Sequence, residues 1–242
     1  MKKPEVLILG YHKIGPQPPD TWTSWYYTPT ALFVRHLEWL REEGYAYLSL
    51  ESFLRGAEDP ASLPEKSALV TFDDGYRSIL RHGLPEMEAA GCPGVIFVPT
   101  QYVGGRNDFD LHEEPSEEIL SWAEMRELEK RGIALQSHGV THRGLSGLSL
   151  KECKEEIVTS KAVLEEHLHR PVLTYSFPYG DGGTPDTADV VQELLQEAGY
   201  RAAFRYGPEP KPFSPENLFQ LGRIGLGMDT DLAEAVAEFK HA

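Results

Sequence analysis

Two cysteines in 242 residues, Cys92 and Cys153, give neither a disulfide framework nor the spacing of a zinc ribbon. Two free thiols in a reducing compartment are the simpler expectation. No apolar run reaches the roughly 20 residues that a membrane-spanning helix needs. The opening "MKKPEVLILGYHKIGP" has two lysines, but its apolar run is short and is broken by Gly10 and His12. With no small-residue cleavage site it does not read as a signal peptide, so the expected location is cytoplasmic, with action outside the cytoplasm left for a processed form. Basic residues are also scarce. Lys and Arg number 23 against 38 Asp and Glu, a net charge of -15, which argues against nucleic acid or an anionic membrane as partner. No glycine-rich phosphate loop follows any apolar run, which disfavours an open nucleotide-binding sheet. Repeats, low-complexity tracts and linkers are missing too, so residues 1–242 read as a single domain.

Against those absences stands a regular alternation. Short, nearly continuous apolar runs occur at 6–12, 68–74, 94–100, 132–138, 171–180, 200–206 and 219–227. They suit strands buried on both faces, as in a parallel sheet. Helical patterns separate them. Residues 28–44 open on Thr-Pro and stop at Gly44, and 116–132 begin at Ser116 as an expected N-cap with acids in the first turn. Residues 149–171, 184–199 and the C-terminal stretch behave alike. The predicted fold class is α/β, a closed or distorted parallel barrel of seven strands. Two long loops, 15–29 and 101–116, have the composition of site-building segments.

In a parallel barrel the chemistry sits at the carboxyl ends of the strands. Those ends carry His12, the pair Asp73–Asp74 in "TFDDGY", the pair His138 and His142 in "SHGVTH", and Pro178–Tyr179 in "SFPYG". Each has an ordinary explanation alone: a turn, a surface histidine pair, a packed strand-end histidine. Together, two imidazoles and one carboxylate form a ligand set for a divalent metal with positions open to water and substrate. A second carboxylate beside the metal's water would act as its base. A cation there also relieves the repulsion between adjacent acids.

"TFDDGY", "SHGVTH" and "SFPYG", in that order and spacing, resemble the polysaccharide deacetylases of carbohydrate esterase family 4, the NodB-homology domain. The resemblance runs from about Val6 to Phe239. It implies a distorted (β/α)7 barrel and hydrolysis of N-acetyl groups from N-acetylglucosamine-type carbohydrate, with Zn2+ or a similar ion (Co2+, Ni2+ or Mn2+). It implies Asp73 as base, Asp74, His138 and His142 as metal ligands, and the Tyr179 N–H as oxyanion donor. Three departures stand out. Ser176 occupies the place of an arginine that orients the base, Gly139 replaces Ser or Thr after the first histidine, and "LGRIGLGMD" ends without the final motif's histidine. The "LGYH" of 9–12 resembles the branch in which that motif comes first, as in poly-N-acetylglucosamine deacetylases, making His12 the expected general acid. In the loops, Asn107, Asp108, Asp110 and His112 could line a sugar site, and Trp22, Trp25, Tyr26 and Tyr27 could stack on sugar rings. Asn107, Asp110, Trp25, Pro178 and Tyr179 are the substrate contacts expected first. Alternatives are an amidase or O-deacetylase on a small or lipid-linked sugar, and an inactive carbohydrate-binding homologue. Aspartyl-nucleophile phosphotransfer is disfavoured because its acids are spaced D-x-D.

Overall fold

The computed structural model describes residues 4–19, 21–111, 113–206 and 213–241. Its main sheet is parallel throughout: β1 (Glu5–Tyr11), β2 (Lys66–Phe72), β3 (Gly94–Val98), β4 (Ile133–Ser137), β5 (Thr174–Ser176), β6 (Ala202–Arg205), β7 (Leu221–Gly222) and β8 (Ile224–Gly225). The order is β7-β6-β5-β4-β3-β2-β1-β8, with Ala46–Tyr47 adding a short strand beside β2. Only Arg223 separates β7 from β8. Leu221 pairs with Phe204 on one side, and Ile224 pairs with Leu9 on the other. One five-residue stretch thus spans from the last full strand to the first and closes the ring as its seventh position, the distorted barrel that the alternation predicts.

The apolar runs become strands because both of their faces are covered. Leu7, Leu9, Ala68 and Val70 face the helices α1 (Thr30–Glu42), α3 (Leu84–Ala90), α4 (Trp122–Lys130), α5 (Leu150–Leu168), α6 (Ala188–Glu197) and α7 (Leu232–His241) in one core cluster. Val6, Ile8, Leu69, Val95, Phe97 and Phe204 belong to a second cluster with Leu50, Phe53, Leu54 and Ala57 of α2 (Leu50–Glu58). Apolar side chains therefore fill most of the barrel, and the buried titratable groups Asp73, Asp74 and His138 follow directly on the carboxyl ends of strands.

Two expectations shift. Ser116 does not cap a helix. Residues 106 and 118, and 76 and 119, form antiparallel bridges, and Arg106 holds the Ser116 hydroxyl at 2.6 Å. The helix α4 starts after Ser121, whose side chain and Glu124 form a reciprocal capping box, a stronger start signal than a lone serine. The helices α2 and α3 lie outside the predicted set. Each is short, and α3 follows directly on a wide helical turn at Ile79–Gly83. Both cysteines are buried and unpaired. Among the described residues no helix is long and apolar enough to cross a membrane.

Candidate active site

A cleft of about 390 Å3 opens where the carboxyl ends of the strands meet the loops. Asp73, Asp74, His138, His142 and His12 all line it, and so do Tyr179, Trp25 and Asp110. Four non-glycine residues among those described have positive φ, and three of them, Asp74 (68°), His142 (58°) and Tyr179 (57°), sit here. Left-handed backbone at such residues costs free energy and persists only where the surroundings enforce it.

Asp74, His138 and His142 form the one group of three metal-ligating side chains found among the described residues, their donor atoms all within 4.8 Å of one another. Asp74 Oδ1 lies 3.3 Å from His138 Nε2 and 3.0 Å from His142 Nε2. These are separations that donors sharing one ion adopt at bond lengths of about 2.0–2.2 Å. His138 Nδ1 lies 2.7 Å from the Ser176 carbonyl oxygen, which requires the proton on Nδ1 and leaves the Nε2 lone pair free. Asp74 Oδ1 is buried and has no hydrogen bond of acceptable geometry despite the two imidazoles beside it. An orphaned carboxylate oxygen facing two imidazoles fits a cation. Burial pushes the Asp74 carboxyl up, but His142 and His138 outweigh it and hold it well below the usual carboxylate range. At His138, burial works downward and the acids, Asp73 first, raise the imidazole above its ordinary value. A divalent ion would displace that proton.

Asp73 is held differently. Arg223 Nη1 donates to Oδ1 at 2.7 Å and Nη2 to Oδ2 at 2.5 Å, a bidentate pair at 3% and 1% exposure. Ser176 Oγ donates to the same carboxylate at 3.2 Å and accepts from Arg223 Nη2 at 2.8 Å. Burial favours the protonated carboxyl, yet Arg223, with His138 and His12 after it, keeps Asp73 below its ordinary value. The expected motif arginine is absent from position 176, and the charge arrives instead from the closing strand. Phe97 and Tyr206 stack against its guanidinium at 5.7 and 4.1 Å.

His12 follows β1 across the cleft. Its ring meets the Tyr26 ring edge-on at 4.7 Å and lies nearly parallel to that of Tyr206 at 5.9 Å. Among the described residues, neither His12 Nδ1 nor the buried Tyr206 hydroxyl has a hydrogen-bond partner. Burial lowers the His12 pKa, and the nearby Asp74 and Asp73 recover only part of that shift.

The 104–118 loop forms the outer wall. Lys13 is fully buried and donates to Glu114 Oε2 at 2.6 Å, between the rings of Tyr27 and Tyr76. Phe109 packs on His142 at 4.1 Å, and Tyr179 Oη donates to Asp110 at 3.1 Å. Burial, then Asp74, raises the Asp110 carboxyl to about 6. Asn107 does not face the cleft. It is 1% exposed, and its amide binds Pro115 O, Tyr76 Oη and the Glu117 N–H, so it shapes the loop. Pro178 is likewise buried in its turn, not on the cleft wall. Asp108 and Asp110 join no metal cluster among the described residues, and His112 lies outside them. Trp25 lies across Gly225 and Gly227, and Trp22, Trp25 and Tyr26 remain 40–52% exposed on the rim.

Arg223, Lys13, Tyr206 and Glu156 stand outside the sequence-predicted set. Arg223 and Lys13 each left a signal, a lone cation within or beside an apolar strand. Tyr206 left none beyond its place at a strand end. Glu156 sits in the buried stripe Cys153, Glu156, Ile157, Ser160, Leu164 of α5, where an acid needs a partner.

A sequence model described as "Polysaccharide deacetylase" matches residues 61–203. A Bacillus subtilis (strain 168) protein, YxkH, described as a polysaccharide deacetylase, is 29% identical over 181 residues, 74% of this chain and 58% of its own length. Escherichia coli (strain K12) poly-beta-1,6-N-acetyl-D-glucosamine N-deacetylase is 30% identical over 137 residues, 54% of this chain and 20% of its own. The chain therefore spans a little over half of the first relative's length and a fifth of the second's. The Streptococcus pyogenes deacetylase PplD, solved with acetate, superposes with a TM-score of 0.80 at 21% identity over 97% of both chains, which establishes the shared fold.

Proposed function

As the chain belongs to the polysaccharide deacetylase family, we propose that it removes N-acetyl groups from N-acetylglucosamine-type carbohydrate, with Asp74, His138 and His142 holding a divalent ion. The observation that carries this reading is the convergence of those three donors beside a second, separately anchored carboxylate. Two imidazoles and a carboxylate suit Zn2+ first, and Co2+, Ni2+ or Mn2+ next. When bound there, such an ion supplies Lewis-acid polarisation of the acetyl carbonyl and acidifies a water molecule.

The chain's own residues do the rest. Asp73, kept ionised by Arg223, takes the proton of the attacking water. Its Oδ2 lies 3.9 Å from His138 Nε2, beside the donor cluster. The Tyr179 backbone N–H, on a left-handed turn at the cleft edge, donates to the developing oxyanion. His12 in its imidazolium form gives its proton to the departing nitrogen, which would otherwise leave as a poor anion; the burial that lowers its pKa makes that form scarcer but a stronger acid. Trp25 and Asp110 contact the sugar by stacking and hydrogen bonding. The activity named for the Escherichia coli relative supports starting with N-acetylglucosamine polymers.

The test is acetate release from N-acetylglucosamine oligomers, peptidoglycan fragments and O-acetylated or monosaccharide conjugates, with and without chelator. We expect release from the N-acetylated oligomers that chelation abolishes and metal restores. Asp73→Asn should bind metal normally and lose on the order of 10² or more in turnover. Chelator-insensitive release, or none from any N-acetylated sugar, refutes the reading.

A further inference from the structure

His138 and His142 can reach one ion only if the turn between them folds back sharply. Two of its residues, Gly139 (φ 77°) and His142 (φ 58°), are left-handed, and His142 is not a glycine. Among the described residues no backbone hydrogen bond closes the turn within 138–142, and locally its Gly139 N–H reaches only Ser137 Oγ, at 3.2 Å. The N–H groups of Thr100 and Gln101 donate to its Gly139 and Val140 carbonyls at 3.1 and 3.0 Å. From the other side, Glu156 of α5 presents its carboxylate to the turn's concave face. Val140 N and Thr141 N donate to Oε2 at 2.6 and 3.0 Å, and Thr141 Oγ1 donates to Oε1 at 2.5 Å.

Glu156 is only 6% exposed, and among the described residues no ion pair reaches it. A buried charge without a cation is stabilised only by such donors, so carboxylate and turn require each other. The fit leaves no slack. A Cβ at position 139 would come within 2.9 Å of Glu156 Oε2 and 3.1 Å of Tyr175 Oη. Glycine there supplies both the left-handed φ and the room for the carboxylate. Glu156 also lies within a 19-residue helix packed on the barrel, a rigid mount compared with a loop.

We propose that Glu156 is a positioning residue for the metal centre: it holds the 139–142 turn in the strained form that aims His142 at Asp74, without touching the ion. This rests on the reading of Asp74, His138 and His142 as the metal site. The test is zinc affinity by competition with a chromophoric chelator, for wild type, Glu156→Met, Thr141→Val and Leu164→Ala. Methionine keeps the length of the side chain and removes both acceptor oxygens, whereas a glutamine could keep its carbonyl on the two N–H groups and donate to the Thr141 hydroxyl. Thr141→Val removes one of the three bonds and is the milder lesion. Leu164→Ala perturbs the same helix in the core, away from the turn, and serves as a stability control.

Glu156→Met should weaken zinc binding about 10- to 100-fold, the range for residues that support ligands from behind. Thr141→Val should weaken it several-fold, and Leu164→Ala should lower the melting temperature with affinity kept. Saturating zinc should restore acetate release in Glu156→Met. If Glu156→Met and Thr141→Val both bind zinc as tightly as wild type, Glu156 has no such role. Affinity that merely follows melting temperature across all the variants also defeats it. A wild type that takes up no zinc would instead overturn the metal-site reading, and this inference with it.

Discussion

Asp73 and His12 face each other across one cleft under different constraints. Asp73 is gripped by the two terminal nitrogens, Nη1 and Nη2, of Arg223 and by Ser176 Oγ, and Ser176 also fixes His138 through its carbonyl. The His142 turn is gripped from behind by Glu156. Opposite them, His12 Nδ1 and Tyr206 Oη have no polar partner among the described residues, and the ring contacts of His12 are with Tyr26 and Tyr206; on the acid side the unpaired atoms are Asp74 Oδ1, His142 Nδ1 and Arg223 Nε, none of them on Asp73. Groups that must share an ion or abstract a proton gain from fixed geometry. In the proposed mechanism, groups that meet a leaving atom and a sugar are left with polar capacity for the ligand to satisfy. On that reading Asp73 is held before substrate arrives, and the surroundings of His12 are completed by it.

The harshest way to break the comparison is Arg223→Met. It leaves Asp73 buried without its cation, and we expect about 3–5 kcal/mol of lost stability, read by urea denaturation. Adding Asp73→Asn should return much of that loss, because the uncompensated charge is gone. Simple additivity of the two changes would show that the pair is not what holds this side.

On the opposite side, His12→Ala leaves no buried charge stranded, so fold and metal content should stay near wild type. Turnover on N-acetyl substrates should fall by on the order of 10². An activated acetate ester, whose leaving group needs no proton, should be spared most of that loss. Equal losses on both substrates would make His12 a positioning group.

The smallest effect belongs to Asp110, on the loop above both sides. Its folded pKa of about 6 lies above the ordinary carboxylate value, so the native state binds more protons than the unfolded state between the two. The stabilisation this gives is complete below the ordinary value and is lost as pH rises through about 6. Asp110→Asn does not titrate. In chelator-treated protein its stability relative to wild type should therefore climb between pH 4 and pH 8, by about 1 kcal/mol after allowance for solvent screening. A difference that stays flat with pH would place Asp110 in a better solvated position than the structure gives it.

Legibility followed the range of the interactions. The barrel could be read from apolar runs and intervening helices, because burial on both faces leaves a continuous mark along each strand. Gly44 stops α1 in sequence as in structure. The start of α4 was misplaced by five residues, since Ser116 and Ser121 look alike until Arg106 and Tyr76 claim the segment between them. Asn107 looked like a sugar contact because a polar residue in a long loop carries no sign of inward burial.

Asp73, Asp74, His138, His142 and His12 stood out in the sequence because each is a chemically distinctive residue directly after a strand, and a parallel barrel brings strand ends to one rim. That much the chain's own order determined. Their partners were decided only in three dimensions. Arg223 reaches Asp73 across 150 positions because the stretch around it closes the ring, and Glu156 reaches the histidine turn because α5 packs behind β4. Neither contact leaves a spacing to read. A buried charge is stabilised by whichever donors the packing delivers, and packing is a property of the closed barrel, not of any one segment of it.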